Sequence, residues 1–367
     1  MTSMRYHQFE DLQLSQLGMG AMRLPQTEPG FAKPIDEAKA MELVDFCITH
    51  GINYFDTAYI YHMGQSEVFL GKALKGYPRN SFYVADKFNV QAEPDYKKQF
   101  ARQLDRLQMD RIDFYLLHGV TDKLISDYLD HGAPEYFREQ KRLGKIRYFG
   151  FSFHGSPDAL EQMLARGPWD FVQIQLNYYD WFHGTARALY EILREHDIPI
   201  MVMEPAHGGM LADLPEAGRD LLLTAKPDAT AASWAFRFLR TLPGIAVVLS
   251  GMSGWGRSRT IFRPSQTTIF CLRRRSPWCG RSATCSTDSM RCPVRAAATA
   301  APTVPSSWTF PSCLPPSTST RLGEKRTCPP GVWPGWVPCR RTSGPPPASA
   351  AARVPPTVPR GWTYPPI

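Results

Sequence analysis

The chain has 367 residues and a formal net charge of +8, a figure that averages two unlike parts. Residues 253–367 hold 16 of the 42 Lys and Arg but only two of the 34 Asp and Glu, so residues 1–252 carry a net charge of −6. No run of about 18 apolar residues is present, and the N-terminus lacks the apolar core of a signal peptide. We therefore expect a cytoplasmic protein that does not span a membrane.

The composition changes abruptly near residue 252. Residues 253–367 contain 20 of the 33 Pro and seven of the eight Cys, in addition to most of the excess basic charge. Such a change predicts a domain boundary. We expect residues 1–252 to form one domain and residues 253–367 to be an aberrant, disordered tail rich in Pro, Arg and Ser.

The elements of the first domain alternate between strands and helices. The run at 16–22 predicts a strand, and Asp36 caps the helix that follows it. Further strands are predicted at 52–58, 81–88, 112–118, 146–153, 171–177, 198–205 and 245–252. The helical patterns between them are 66–74, 95–108, one ending near Leu143, one opened by Ser156, 184–196, and one from Asp228 through Arg240.

Eight strands separated by helices in about 250 residues fit an α/β fold of the (β/α)8 type, the TIM barrel. The competing interpretation is a doubly wound sheet, but no G-x-G-x-x-G pattern follows the first strand. An eight-stranded barrel should close with an eighth helix after Met252. The tail shows no helical pattern there, so we expect a barrel that lacks a proper eighth helix.

Four polar residues fall at or just past the carboxyl ends of predicted strands, where TIM barrels carry their catalytic groups. Asp56 and Tyr61 follow the second strand, Lys87 closes the third and His118 closes the fourth. Each alone is compatible with a satisfied polar residue at the barrel mouth. Their occurrence on successive strands favours a catalytic set.

These residues stand in motifs that resemble the aldo-keto reductase family. The motifs are FDTAYIYHMGQSE (55–67), ADK (85–87), LLH (116–118), GFS (150–152) and QIQLN (173–177). The resemblance covers about residues 10–252. The segment MEPAHGGML (203–211) looks like the branch of the family that carries a ferredoxin-like tail.

The resemblance implies a catalytic tetrad that reduces a carbonyl with hydride from NADPH. Tyr61 would be the general acid, and Lys87 would lower the pKa of its phenol. Asp56 would pair with Lys87 and hold it charged. His118 would hydrogen-bond the substrate oxygen. The expected partner is therefore a small-molecule aldehyde, ketone or quinone.

The resemblance also implies contacts with the cofactor. Ser152 and Gln173 match positions that bind the nicotinamide carboxamide, and Met203 stands where many members stack a Tyr on the ring. Three residues after the seventh strand could approach the pyrophosphate or form a plain turn: Pro205, Gly208 and Gly209. The histidines near the mouth are expected to be solvated loop residues: His62, His154 and His207.

The tail suggests a reading-frame slip near Ser253. In a shifted frame, permitted codons for residues 254–270 allow M-G-Q-V-E-D-N-I-Q-T-F-S-D-Y-D-F, which resembles the cofactor segment of the family. The same shift over 293–318 allows C-R-Y-C-C-A-D-C-P and then G-L-D-I-P-K-L-L-A. The first of these runs has a ferredoxin spacing that binds [4Fe–4S]. The cysteines as written contain no C-x-x-C pair. We expect no metal site unless the frame is restored.

Two alternative functions stay open at this point. The Arg- and Trp-containing tail could bind nucleic acid, although out-of-frame GC-rich DNA yields the same composition, and we expect no nucleic-acid partner. The barrel could instead be a cofactor-binding regulatory or inactive protein, impaired by loss of its C-terminal cofactor segment. The interpretation we favour is an NADP(H)-dependent oxidoreductase.

Overall fold

The structure is a computed structural model that describes residues 4–28, 30, 33–227 and 229–252. The tail at 253–367, with its seven cysteines and the position of a closing helix, lies outside the described residues, as does Asp228. Within the described part, none of the helices combines the length and apolarity needed to cross a lipid bilayer.

A closed barrel of eight parallel strands forms the centre of the molecule. A two-stranded antiparallel hairpin precedes it, made of β1 (Tyr6–Phe9) and β2 (Leu12–Ser15). The barrel strands are β3 (Leu17–Gly20), β4 (Tyr54–Asp56), β5 (Tyr83–Phe88), β6 (Ile112–Val120), β7 (Ile146–Phe153), β8 (Phe171–Gln175), β9 (Ile200–Met203) and β10 (Ile245–Gly251). They pair in chain order, and β10 closes the ring against β3. The predicted TIM barrel is confirmed.

Helices connect the strands and cover the outside of the barrel. They are α1 (Glu37–Thr49), α2 (Gln65–Leu74), α3 (Tyr96–Leu107), α4 (Ile125–Leu129), α5 (Ala133–Arg142), α6 (Pro157–Leu164), α7 (Tyr178–His183), α8 (Ala186–Glu195), α9 (Glu216–Ala225) and α10 (Ala231–Leu239). Short 3-10 turns lie at Ala21–Arg23, Tyr61–Gly64, Arg79–Ser81 and His207–Ala212.

Two of the three predicted helix N-caps are confirmed and one is wrong. Asp36 accepts the backbone N–H of Lys39 (3.2 Å), and Ser156 accepts that of Ala159 (3.2 Å), so both N-caps are confirmed. The cap predicted at Asp228 is wrong, because α10 begins at Ala231 and Thr230 caps it. The Thr230 hydroxyl satisfies a backbone N–H of the first turn, as an N-cap residue must.

The β1–β2 hairpin closes the amino-terminal end of the barrel. Its apolar residues Phe9, Leu12 and Leu14 are buried in the same cluster as the residues that fill the barrel interior. The Phe9 ring lies edge-on to Phe114 and Tyr148, with ring centres 5.4 and 4.9 Å apart. The barrel therefore opens only at the carboxyl ends of its strands, at least as far as the described residues reach.

Candidate active site

Alternation along the barrel strands places several polar side chains just beyond the apolar interior. Residues two apart share a face of a strand, so a residue two positions after a core residue also points inward. The interior core residues and the polar residues that follow them are Tyr54 and Asp56 on β4, Ala85 and Lys87 on β5, Leu116 and His118 on β6, and Phe171 and Gln173 on β8.

Lys87 and Asp56 form a fully buried ion pair at the base of the mouth. The Lys87 ammonium donates to Asp56 Oδ1 (2.7 Å) and to the carbonyl of Thr57 (2.6 Å). Burial disfavours the ammonium, but the attraction of neighbouring anionic groups, above all the Asp56 carboxylate, outweighs it and raises the pKa of Lys87. Lys87 is therefore held charged, as the sequence analysis expects.

Tyr61 lies above this pair, at the start of a 3-10 turn. The two residues that follow it, His62 and Met63, both have left-handed backbone (φ 49° and 56°), which is uncommon for residues other than glycine. The half-buried Tyr61 ring has its centre 5.1 Å from Lys87 Nζ and 5.8 Å from the His118 ring. Three members of the expected tetrad therefore converge on one point, and Asp56 contacts it through Lys87.

The pKa of Tyr61 differs from the expectation. Burial raises the pKa of the Tyr61 phenol to about 12, and the Lys87 ammonium acts in the opposite direction. The direction of the Lys87 effect is as expected, but burial outweighs it. Tyr61 is consequently a protonated donor in the free barrel.

His118 is the second polar group that faces the mouth. Burial, with the nearby Lys87 ammonium and His154, holds the pKa of His118 well below its ordinary range. The imidazole is therefore neutral near pH 7 and retains one N–H donor and one acceptor. Its Nδ1 is buried and has no hydrogen-bond partner among the described residues.

Three of the expected cofactor residues lie together on neighbouring strands. Ser152 pairs in register with Gln173, and Gln173 Nε2 lies 3.5 Å from Met203 Sδ. Ser152 Oγ accepts the backbone N–H of Gly119 (2.7 Å). Gln173 Oε1 is buried and accepts no hydrogen bond within the described part of the chain. An acceptor is therefore available beside the Met203 thioether.

The loop after β9 contains the other expected cofactor residues. Pro205 is buried, whereas Gly208 and Gly209 are exposed and have positive φ (66° and 109°). That backbone alone accounts for the two glycines. A plain turn and a turn that a phosphate approaches both remain compatible with it.

A hydrogen-bonded pair beside this loop was not predicted from the sequence. His207, expected to be solvated, is partly buried and lies 3.0 Å from Asp180 Oδ2 through Nδ1. Asp180 also accepts from Gln175 (2.9 Å) and Asn177 (2.6 Å). The hydrogen bond with Asp180 raises the pKa of His207. The only sequence signal was an Asp three residues after the QIQLN motif (173–177), which does not specify a partner.

The described residues contain no group of three or more His, Cys, Asp or Glu that could hold a metal ion. The polar groups that converge on the mouth are the ammonium, phenol and imidazole described above. These groups hold and transfer protons and hydrogen-bond an oxygen atom.

Comparison with known proteins identifies the family and the fold. A model of the aldo/keto reductase family matches residues 16–253. The uncharacterized oxidoreductase YqkF of Bacillus subtilis is 26% identical over 276 residues, which cover 66% of this chain and 84% of the relative. The holo form of aldo-keto reductase AKR11C1 from Bacillus halodurans is 29% identical, with a TM-score of 0.57 over 70% of this chain and 90% of that one.

A more distant structure shares the fold. An aldo-keto reductase from Klebsiella pneumoniae, solved in complex with NADPH, is 20% identical, with a TM-score of 0.58 over 74% of this chain and 92% of that one. The family match covers most of the chain and includes every barrel strand. The chain therefore belongs to the aldo/keto reductase family of oxidoreductases.

Proposed function

We propose that the chain reduces a small carbonyl compound (an aldehyde, a ketone or a quinone) to the alcohol, with NADPH as the hydride donor. The observation that carries the proposal is the buried Lys87–Asp56 pair beneath two proton-bearing rings, Tyr61 and His118, at the open end of the barrel. Such a set serves a reaction in which negative charge develops on an oxygen atom.

The cofactor is proposed on the residues of β7, β8 and β9. Gln173 Oε1 is a buried acceptor without a donor among the described residues, and a carboxamide NH2 is a donor of the kind it lacks. We infer that Ser152 and Gln173 hold the carboxamide and that Met203 lies against the ring. When bound, the reduced nicotinamide supplies the hydride. Pro205, Gly208 and Gly209 are our proposed neighbours of the pyrophosphate.

Tyr61 would supply the proton. In the proposed step, Tyr61 Oη gives its proton to the carbonyl oxygen as the carbonyl carbon receives the hydride, so that C=O becomes CH–OH. The Lys87 ammonium stabilises the phenolate that is left. Asp56 keeps that ammonium charged and fixed in position. Neutral His118 would donate a hydrogen bond to the same oxygen and fix its direction.

The test is turnover of NADPH by the full chain with simple aldehydes, ketones and quinones. We expect Tyr61→Phe to lower turnover by about 10²- to 10⁴-fold, the usual contribution of a general acid. NADPH binding should survive, because the substitution removes only the hydroxyl.

A Tyr61→Phe chain with full turnover would contradict the mechanism. A chain that binds NADPH but turns over none of these carbonyls would instead favour the cofactor-binding regulatory barrel. Fluorescence titration of NADPH separates these two results, because it measures binding without turnover.

A further inference from the structure

Two buried carboxyl groups lie behind Lys87, on the outer side of β5. Asp86 precedes Lys87 on the strand, so its side chain points away from the barrel interior. There it meets Glu67 of α2. Both side chains are fully buried. Neither belongs to the set that faces the mouth.

One oxygen of each carboxyl has a donor. Asp86 Oδ1 accepts the backbone N–H of Lys87 (2.8 Å), and Glu67 Oε2 accepts from Arg106 Nη1 of α3 (2.6 Å). The remaining oxygens, Asp86 Oδ2 and Glu67 Oε1, are buried and have no hydrogen-bond partner among the described residues, although the Gln103 side chain also lies close to the Glu67 carboxyl. The two side chains are nevertheless within hydrogen-bonding reach of each other.

Two ionised carboxylates cannot make that contact. An ionised carboxylate only accepts hydrogen bonds, so the facing oxygens need a proton between them. Two like charges in one buried site also favour binding of a proton by one of them. The charged and titratable groups that face the pair are Lys87 on β5, Arg106 on α3 and Tyr115 on β6. The Lys87 ammonium is already engaged by Asp56.

The structure assigns one shared proton to Asp86 and Glu67, and it makes this acid pair a positioning device for Lys87. The pair then carries a single negative charge, which Arg106 balances. Burial and the neighbouring Glu67 carboxylate raise the pKa of Asp86 well above its ordinary range, which agrees with this assignment. The positioning role rests on the proposed function of Lys87, whereas the shared proton does not.

The acid pair positions Lys87 through its backbone. The N–H of Lys87 donates to Asp86, and the carbonyl of Lys87 accepts a hydrogen bond from Gln103 Nε2 of α3 (3.0 Å). Both backbone groups of Lys87 are thus bonded to side chains of the outer layer. A shift of Glu67 or Asp86 would be transmitted to the one residue whose ammonium must stay beneath Tyr61.

α2 packs closely on α3 beside the pair. A Cβ atom on Gly71 would lie 2.5 Å from the carbonyl oxygen of Leu107, so the helices reach this distance only with glycine there. That distance lets Glu67 contact Arg106. The pair therefore depends on the helix packing as well as on the strand.

Infrared spectroscopy of the full chain tests the shared proton. At neutral pH we expect a C=O stretching band from a protonated carboxyl that disappears in both Asp86→Asn and Glu67→Gln. Either amide can replace the shared proton with an N–H donor, so both variants should fold. Asp113→Asn is the matched control, because Asp113 is equally buried but is paired with Arg79 (2.7 Å) and Arg111 (3.4 Å), and it should leave the band unchanged.

The absence of the band in the wild type, or its persistence in both amide variants, would overturn the assignment. The positioning role is tested by turnover. We expect Asp86→Ala to lower kcat about tenfold, equivalent to ~1.4 kcal/mol of barrier, with KM unchanged, and Asp86→Asn to restore most of it. Equal kcat for Asp86→Ala and wild type would refute positioning. A wild type without turnover would refute the proposed function, while the band would still decide the shared proton.

Discussion

The charged groups of the site lie deeper in the barrel than its uncharged groups. The ions, Lys87 and Asp56, are fully buried and satisfy each other, whereas the groups that face the mouth, Tyr61 and His118, are both uncharged near pH 7. A buried ion pair costs desolvation energy that its mutual attraction barely repays, so it is weak evidence for a stabilising role. Its position beneath a phenol favours a role in holding and moving a proton.

The neutrality of His118 has a consequence for stability. A histidine whose folded pKa is depressed contributes stability that is fully present above its unfolded pKa of about 6.5. That stability is lost as the pH falls through this value toward the folded pKa, because the unfolded chain binds a proton that the folded chain refuses. The cause of the depression here is burial, with Lys87 and His154 adding to it.

We therefore predict that His118→Gln weakens the acid sensitivity of folding. Between neutral pH and about pH 5, the wild type should lose more free energy of unfolding than the variant, by at most ~1.4 kcal/mol per pH unit. Urea unfolding at a series of pH values measures this difference. Parallel curves for the two proteins would show that His118 titrates equally in the folded and unfolded states.

Among the elements, β7 and β8 approach each other unusually closely. A Cβ atom on Gly150 would lie 2.2 Å from the carbonyl oxygen of Phe171, closer than any real contact. Backbone atoms cannot rotate away as a side chain can, so the two strands would have to separate. Ser152 and Gln173 lie on these same strands, two residues further along.

We predict that Gly150→Ala destabilises the barrel by about 1–3 kcal/mol, the usual cost of overpacking a core. Gly76→Ala is the control, because a Cβ atom there meets nothing within 4 Å and should change stability little. Thermal or urea unfolding of the two variants makes the comparison. Equal stability of the two variants would contradict this prediction, because it would show that β7 and β8 can separate enough to accommodate a Cβ atom without cost.

Strands and caps were the predictable elements. Each barrel strand is a short apolar or alternating run between polar segments, and Asp36 and Ser156 are strong N-cap residues. The hairpin was missed because its two-residue turn, Glu10–Asp11, lacks the Asn-Gly type of signal, although Glu10 adopts positive φ (47°). The cap at Asp228 was wrong because Thr230, two residues on, is an equally good cap and lies next to the helix.

The site was predictable where sequence spacing alone fixes geometry. Strand ends meet at one mouth of a barrel, so Asp56, Lys87 and His118 had to converge. The net pKa of Tyr61 was not predictable, because burial is a property of the whole fold. The Asp86–Glu67 contact likewise depends on how α2 packs against β5, which no local pattern encodes.

At the scale of the whole molecule, we propose a boundary at residue 252. The family match ends at residue 253, next to the composition change, and β10 ends at Gly251. Beyond it, the chain as written does not resemble the cofactor segment of the family, whereas permitted codons in a shifted frame allow a segment that does. The proposed reading-frame slip would therefore leave all eight barrel strands intact but remove part of the cofactor site.

We predict that the chain as written binds NADPH poorly. A gene repaired by a single-base change near codon 253 should encode a protein that binds NADPH more tightly, because the cofactor segment would be restored. Fluorescence titration of both proteins measures the affinities. Micromolar or tighter binding by the chain as written would contradict this prediction, and an unbroken frame in independent isolates would remove the basis for repair.

The hairpin at the amino-terminal end also limits how reactants can enter and leave the barrel. Phe9 packs beneath Phe114 and Tyr148, so within the described residues the barrel is closed at this end and opens only at the carboxyl ends of its strands. Two reactants that meet over Tyr61 must then arrive and depart through the same opening, one after the other. We expect the kinetics to show a fixed order of addition, in which the molecule that lies deeper in the barrel binds first and is released last.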